Sequence, residues 1–375
     1  MEALNSVTAE AATRHPRRVA INTGGGDAPG LNAVIHSAVL SALNLGWEVF
    51  GIRKGYEGLF QDDGLIALDR SRVQGIARTG GTILGTTNRG NPLEWPRERP
   101  DGTVETVDRS AEIVERFRQR KLDALIAIGG DGSLSIASAL YERGLPVVGV
   151  PKTIDNDLAA TQVTFGFHTA VQTASDAVDK LHATAESHER VMVVEVMGRH
   201  TGWIALHAGL SGSADVILIP EIPYTMESVT RRIESRYSQG PRYSIVVVAE
   251  GAKPVGGEPV FKAQTRPGDN LRYGGIAERV ADQIQEQTGF ETRALVLGHL
   301  QRGGNPTAYD RLLSLEFGAA AVDMVRDEAF GCMVALQPPE IRAVPLAEAV
   351  KAVKSVPLDG DLVRTARRLG VSFGD

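Results

Sequence analysis

The sequence predicts an α/β protein of two domains, each a mostly parallel sheet covered by helices. Three observations carry that expectation. The chain has 375 residues, 42% hydrophobic but only 5% aromatic, enough to bury two cores built from small aliphatic side chains. Short aliphatic runs alternate with stretches of helical spacing along most of its length. Several of those runs end in glycine-rich turns, and repeated strand-turn-helix units generate parallel sheets that are covered on both faces.

Taken in order, residues 1–16 carry no usable periodicity and are expected to form a flexible extension. Val19-Ala20-Ile21 reads as a strand, followed by a glycine-rich turn and a helix from Asn32 to Leu45, where Val34, Ile35, Ala38, Val39, Ala42 and Leu43 recur at helical spacing. The unit repeats with a helix near Ala111 to Arg120, the run Leu125 to Ile128, a second glycine turn, another helix, and Val147 to Val150. A second set follows: a helix near His168 to Thr184, the run Val191 to Val194, a helical stretch from Thr201, and the runs Val216 to Ile219, Ile245 to Val248 and Ala294 to Leu297. Arg53 to Asn91 and Trp95 to Val107 lack such runs and read as loop-rich; loops at the carboxyl ends of parallel strands are where ligands usually bind.

Composition narrows the function. A formal charge of -6 disfavours nucleic acid or an anionic membrane as partner, since both require a broad basic face. The single cysteine, Cys332, excludes an intramolecular disulfide framework and a cysteine-based zinc cluster, and fits a reducing cytoplasm. The N-terminal stretch has no apolar core and no run of 18 apolar residues occurs, so neither export by a standard signal nor membrane spanning is expected.

Three turns carry chemistry. Asn22 to Asn32 holds Gly24-Gly25-Gly26 and Gly30 between a strand and an amphipathic helix, an arrangement that lets backbone amides and a helix N-terminus approach polyphosphate. It is neither a Walker A loop nor a dinucleotide fingerprint. Gly129-Gly130-Asp131-Gly132-Ser133 places a carboxylate suited to Mg²⁺ beside open backbone, although Asp131 could equally cap the next helix. Pro151-Lys152-Thr153-Ile154-Asp155-Asn156-Asp157 sets two carboxylates two residues apart, one of which can accept a proton from a hydroxyl; an Asx-turn accounts for Asn156 but has no need of Lys152 and Thr153. Arg190, Arg199, Arg293, His299 and Arg302 fall at strand ends, and arginine forks match phosphate oxygens.

At these residues the chain resembles the phosphofructokinase family from about Val19 to about Gly331, through GGGDAPGLN, IGGDGS, PKTIDND, VVEVMGRHTGW, ETRALVLGHLQRGG and YDRLL in order. The resemblance implies two Rossmann-like α/β domains and transfer of the γ-phosphoryl of ATP to the 1-hydroxyl of fructose 6-phosphate, with Mg²⁺. Residues 17–166 plus about 301–350 would bind the donor nucleotide, and 167–300 plus about 351–375 the sugar phosphate. By the same resemblance Gly25 and its loop would hold donor phosphates with Ser133, and Asp131 would serve the metal. Thr153, Asp155 and Asp157 would form the catalytic turn, with Asp155 as base. Arg199 would stabilise the transferring group. Met197, Gly198, Glu250, His299 and Arg302 would hold the sugar, while Arg190 and Arg293 would reach its phosphate from a neighbouring subunit of a homotetramer or homodimer.

The donor depends on two positions. Gly132 resembles the ATP-using members, where it leaves room for an α-phosphate; Lys152 resembles the pyrophosphate-dependent ones, so pyrophosphate stays as the alternative. The helix Asn32 to Leu45 contains neither Arg nor Lys, so the effector site of the familiar bacterial members is not expected. Arg89 lies in a loop that departs from the usual Ser-Ala-Arg pattern and is a candidate ligand for the donor.

Overall fold

The computed structural model describes residues 17–87, 90–99, 102–262 and 272–375; the extension expected at 1–16 and the candidate Arg89 lie outside them. Its strands are β1 (Arg18–Thr23), β2 (Glu48–Ile52), β3 (Leu65–Ala67), β4 (Trp95–Glu98), β5 (Val104–Val107), β6 (Ala124–Gly129), β7 (Val147–Pro151), β8 (Val191–Val196), β9 (Val216–Leu218), β10 (Ser244–Ala249), β11 (Phe261–Lys262), β12 (Arg272–Tyr273), β13 (Thr292–Val296), β14 (Cys332–Gln337) and β15 (Glu340–Pro345). The helices used below are α1 (Leu31–Asn44), α2 (Ser110–Gln119), α3 (Asp131–Glu142), α4 (Phe167–His188), α5 (Trp203–Ser211), α6 (Met226–Ser238), α7 (Ile276–Thr288) and α8 (Ala308–Arg326).

Two sheets organise the chain. The larger runs β15-β14-β7-β6-β1-β2-β3, parallel at its centre and antiparallel only where β3 and β15 close its edges. The smaller runs β13-β8-β10-β9 and is parallel throughout. Their central strands, such as β6 (ALIAIG) and β10 (SIVVVA), are buried at every position, as expected when helices cover both faces. On the larger sheet α1 buries Leu31, Val34, Ile35, Ala38 and Val39 against α8, whose Phe317 is fully enclosed. The two helices touch backbone to backbone at Gly318, where a Cβ would stand 2.5 Å from the Val34 carbonyl oxygen.

Most expected elements appear within a few residues of their sequence positions. The stretch Trp95 to Val107, expected as loop, is instead the antiparallel hairpin β4-β5. Its strands carry charge on their exposed face and no aliphatic run; what holds them is Glu105, which accepts from Arg97 and Arg99, and Arg109, whose guanidinium lies 3.6 Å from the Phe60 ring centre and 4.9 Å from that of Trp95. Helix α8 and the β14-β15 pair also form where no element was expected.

Among the helices that begin at glycines, whose own side chain can cap nothing, are α4 after Gly166, α5 after Gly202 and α7 after Gly275. Each is capped from elsewhere in the chain. Asp310 Oδ2 accepts from the Thr169 amide at 2.7 Å and from its hydroxyl at 2.6 Å; Glu221 accepts from the Gly202 amide at 3.0 Å; Glu195 Oε2 accepts from Gly275 and Ala277 amides at 3.1 and 3.0 Å. Carboxylates meet the positive helix ends, and distant segments are tied together by the same bonds. Asp310 joins the start of α8 to the start of α4 and is fully buried. Asp310→Ala leaves the Thr169 amide without its partner, so the urea midpoint of unfolding should fall by the equivalent of about 1–3 kcal/mol. An unchanged midpoint would show that the cap adds nothing.

Candidate active site

The carboxyl ends of β1, β6 and β7 carry the three turns singled out in the sequence, and close packing fixes them to one another. The Gly24 amide donates to the Ile128 carbonyl at 2.9 Å, and the Lys152 amide to the Gly129 carbonyl at 2.8 Å. Thr86 Oγ1 donates to the Gly25 carbonyl at 2.6 Å. Gly24 must be glycine because a Cβ there would stand 2.6 Å from Ser133 Oγ, and Gly25 adopts a left-handed φ of 77°. Asp131 is the first residue of α3, exposed, with Gly130 as N-cap and no side-chain capping bond, so its carboxylate is not occupied in the capping role the sequence left open. Around Gly132 no atom lies within 4 Å of a Cβ position.

The turn after β7 is shaped by its own side chains. Asp155 N donates to Thr153 Oγ1 at 3.1 Å, Thr164 Oγ1 donates to the Thr153 carbonyl at 2.7 Å, and Asn156, at a left-handed φ of 52°, accepts from the Thr164 amide at 3.1 Å. Asp155 and Asp157 each keep one buried carboxylate oxygen with no protein donor. Such oxygens are costly to bury and mark a place prepared for something else.

The smaller sheet meets this turn through the exits of β8 and β10. Thr201 Oγ1 donates to the Asp155 carbonyl at 3.2 Å, and Gly251 N to the Gly198 carbonyl at 3.0 Å. A Cβ at Gly251 would run into the Arg199 carbonyl. Arg199 Nε lies 3.7 Å from Glu250 Oε1. The short helix Gly298–Arg302 supplies the third wall: Arg302 donates to the Asp27 carbonyl at 3.2 Å, and Lys152 Nζ donates to that of Gly26. Gln301, passed over in the sequence, is fully buried and accepts from the Met197 amide at 3.3 Å, fixing this helix to the β8 exit. Its place next to Arg302 in the short segment Gly298–Arg302 was the available signal.

Charge in this cluster is unbalanced. Burial pushes Asp155 above the usual carboxylate range, against the opposing pull of Arg302, Arg199 and Lys152. Burial, then the neighbouring Asp155 and Asp131, lift Asp157 to about 6. Glu250 is lifted to about 7 by burial and Asp155 despite Arg199. Lys152, 3% exposed, is lowered to about 8 by burial and the nearby Arg302. Six carboxylates (Asp27, Asp131, Asp155, Asp157, Glu195 and Glu250) face four cations (Lys152, Arg199, Arg302 and Lys354).

Not every expected residue joins. His299 is exposed and lines an open groove of about 900 Å³ with Thr173, Asp176, Lys180 and Leu297. Arg190 and Arg293 stand at the amino ends of β8 and β13, both paired with Glu291 at 2.8 and 2.5 Å. At about 3.3 Å per strand residue, Arg190 is some ~25 Å from the Gly198 end of the same strand. A single chain therefore does not bring them to the cluster.

The family model for phosphofructokinase matches residues 18–325. The ATP-dependent 6-phosphofructokinase of Chloroflexus aggregans is 53% identical over 359 residues, covering 96% of this chain and 98% of that protein. The pyrophosphate-fructose 6-phosphate 1-phosphotransferase of Amycolatopsis methanolica is 51% identical over 344 residues, covering 91% and 96%. Among solved structures, Pichia pastoris phosphofructokinase in the T-state superposes with a TM-score of 0.78 at 31% identity, over 96% of this chain and 37% of that longer one. With its motifs, both sheets and the matched span in agreement, this chain belongs to the phosphofructokinase family.

Proposed function

We propose that the protein is an ATP-dependent 6-phosphofructokinase, which transfers the γ-phosphoryl of ATP to the 1-hydroxyl of fructose 6-phosphate. The observation that carries the reading is the buried Asp155 carboxylate, one oxygen unbonded, at the seam between a glycine-rich phosphate cradle and the arginine-bearing exits of the second sheet. Phosphoryl transfer asks little covalent chemistry of a protein: positioning, charge stabilisation and a proton acceptor suffice. The glycine loop around Gly25, through the Gly26 amide, and Ser133 receive donor phosphates, the Gly24 and Gly25 amides being bonded to the Ile128 and Thr87 carbonyls, and Asp155 takes the proton of the attacking hydroxyl. Arg199 offsets charge on the group in transit. Glu250, Arg302 and the backbone of Met197 and Gly198 hold the sugar, with Thr153 and Asp157 keeping the turn in shape.

Mg²⁺ fits what is present. Among the described residues no three His, Cys, Asp or Glu side chains form a self-sufficient metal site. This ion is usually held by one or two carboxylates together with phosphate oxygens, which Asp131 can provide, and the carboxylate excess calls for a cation. When bound, Mg²⁺ would neutralise donor phosphate charge.

The open space at Gly132 supports ATP as donor. Lys152 beside Gly25 and Gly26 is the feature that favours pyrophosphate; its ammonium spends one of its three donors on the Gly26 carbonyl. The Arg190-Glu291-Arg293 cluster, remote from Asp155 within one chain, supports a homodimer or homotetramer in which a neighbour's arginines complete the sugar-phosphate site. Donor binding is assigned to 17–166 with about 301–350, sugar binding to 167–300 with about 351–375; β14 and β15 rejoin the first sheet, and Ser372 bridges to Val216 in the second. Among the described residues no helix is long and apolar enough to cross a membrane, and the lone cysteine supports a cytoplasmic setting.

Asp155→Ser should lower kcat by about 10²–10⁴ with little change in KM for fructose 6-phosphate, since positioning survives and proton acceptance does not. Near-normal turnover in a coupled assay would remove Asp155 from the base role. Gly132→Asp introduces no clash with the protein, yet adds a carboxylate where donor phosphate should lie, so kcat/KM for ATP should drop at least about tenfold. Parallel assays with ATP and pyrophosphate read the donor directly: wild-type turnover with pyrophosphate alone would overturn the ATP assignment.

A further inference from the structure

We propose that Lys354, in the segment that follows β15, is a positioning residue for the Asp155–Asp157 turn and acts on it from behind through Asn156. This rests on the catalytic role of that turn argued above. The Lys354 ammonium donates to Asn156 Oδ1 at 2.8 Å and to the carbonyls of Thr161 and Gln162 at 3.0 and 2.9 Å. An ammonium has three N–H donors, and all three are taken. Lys354 therefore has none to offer a substrate, and its influence must pass through the groups it holds.

One of those groups, Asn156, belongs to the turn itself, and the other two carry the chain that follows it. Asn156 lies between the two carboxylates in a left-handed conformation, φ 52°, which asparagine tolerates better than most residues; its Oδ1 receives both Lys354 and the Thr164 amide, which hold it there. The backbone of the same segment is pinned alongside. Lys354 N donates to the Asp157 carbonyl at 2.8 Å, and Val353 forms an antiparallel bridge with Leu158. Trp203 Nε1 donates to the Lys354 carbonyl at 2.7 Å, and the ammonium stands 5.9 Å from the Trp203 ring centre. Two residues on, the Val356 amide donates at 2.9 Å to Glu221, the carboxylate that caps Gly202 just past Arg199. One short segment thus braces the turn that carries Asp155 and the loop that carries Arg199. Burial also lowers Lys354 to about 8, with Asp157 opposing, so its charge is felt by the turn.

The test uses Lys354→Met, which keeps stem length and removes the ammonium, and Lys354→Gln, which keeps one amide donor, each assayed as the full chain beside wild type and Asp155→Ser. Displacement of a reacting group from a distance costs up to about a hundredfold in rate, so kcat should fall about tenfold to a hundredfold while KM for both substrates stays within about threefold. Lys354→Gln should lose less than Lys354→Met. A folded variant with kcat within about threefold of wild type overturns the proposal, as does a loss confined to KM. If neither variant shows a cooperative melt, Lys354 is needed for folding and the positioning role falls as well. Should Asp155→Ser turn over normally, it is the catalytic reading of the turn that has failed; an inactive Asp155→Ser beside an active Lys354→Met sinks only the role of Lys354.

Discussion

The site depends on keeping the Asp155 carboxylate out of water while surrounding it with Lys152, Arg199 and Arg302 from three separate segments. Burial alone would drive Asp155 to its neutral form, which cannot accept a proton; the three cations restrain that drift. Lys152 comes from the β7 turn itself, Arg199 from the β8 exit, and Arg302 from the short helix before α8. Both sheets must therefore be present, with their carboxyl ends together, before the chemistry exists.

The fold secures this seam by repeated use of two devices. One is glycine at points of close approach: Gly251 against the Arg199 carbonyl leaves no room for a Cβ, and Gly24 stands close against Ser133, so loops from different strands lie in direct contact. The other is the helix capped from a distance. Asp310, Glu221 and Glu195 each satisfy amides of a helix that starts on glycine. Because the helix after Gly202 begins just past Arg199, its cap fixes the rim of the site as well as the helix. Glu221 is shared between the Gly202 cap and the Val356 amide, which couples the C-terminal segment to the Arg199 loop.

Much of this was legible in the sequence, and the limits have physical causes. Parallel strands buried on both faces leave continuous aliphatic runs, so β1, β6, β7, β8 and β10 stood out. The phosphate turns did too, since glycine clusters and paired aspartates serve few other needs. The β4-β5 hairpin was invisible because it is stabilised by Arg109 stacking and Glu105 ion pairs instead of an apolar face. Helix α8 begins with a buried aspartate and mixes small and large apolar residues around its circumference, so its stripe is blurred. Gln301 and Lys354 carry no recognisable motif; their roles come from what long-range packing places beside them. Arg190 and Arg293 were picked out as phosphate-seeking residue types at strand ends; they lie at the amino ends and pair with Glu291, and strand position alone does not say which chain's site they serve.

What remains most distinctive is the cost of burying carboxylates side by side, and Glu250 reports it best because burial and, after it, Asp155 lift it to about 7. In the unfolded chain it titrates at its ordinary value of about 4.3, so between these limits the folded protein holds the extra proton and wild type loses stability as pH rises. Glutamine at this position has no charge to lose. The most direct measurement is the difference in melting temperature between Glu250→Gln and ligand-free wild type across pH. Glu250→Gln should be the more stable at about pH 8, with the difference fading by about pH 5. A variant no more stable than wild type at the higher pH would contradict the picture of a site held under electrostatic strain until its substrates and cation arrive.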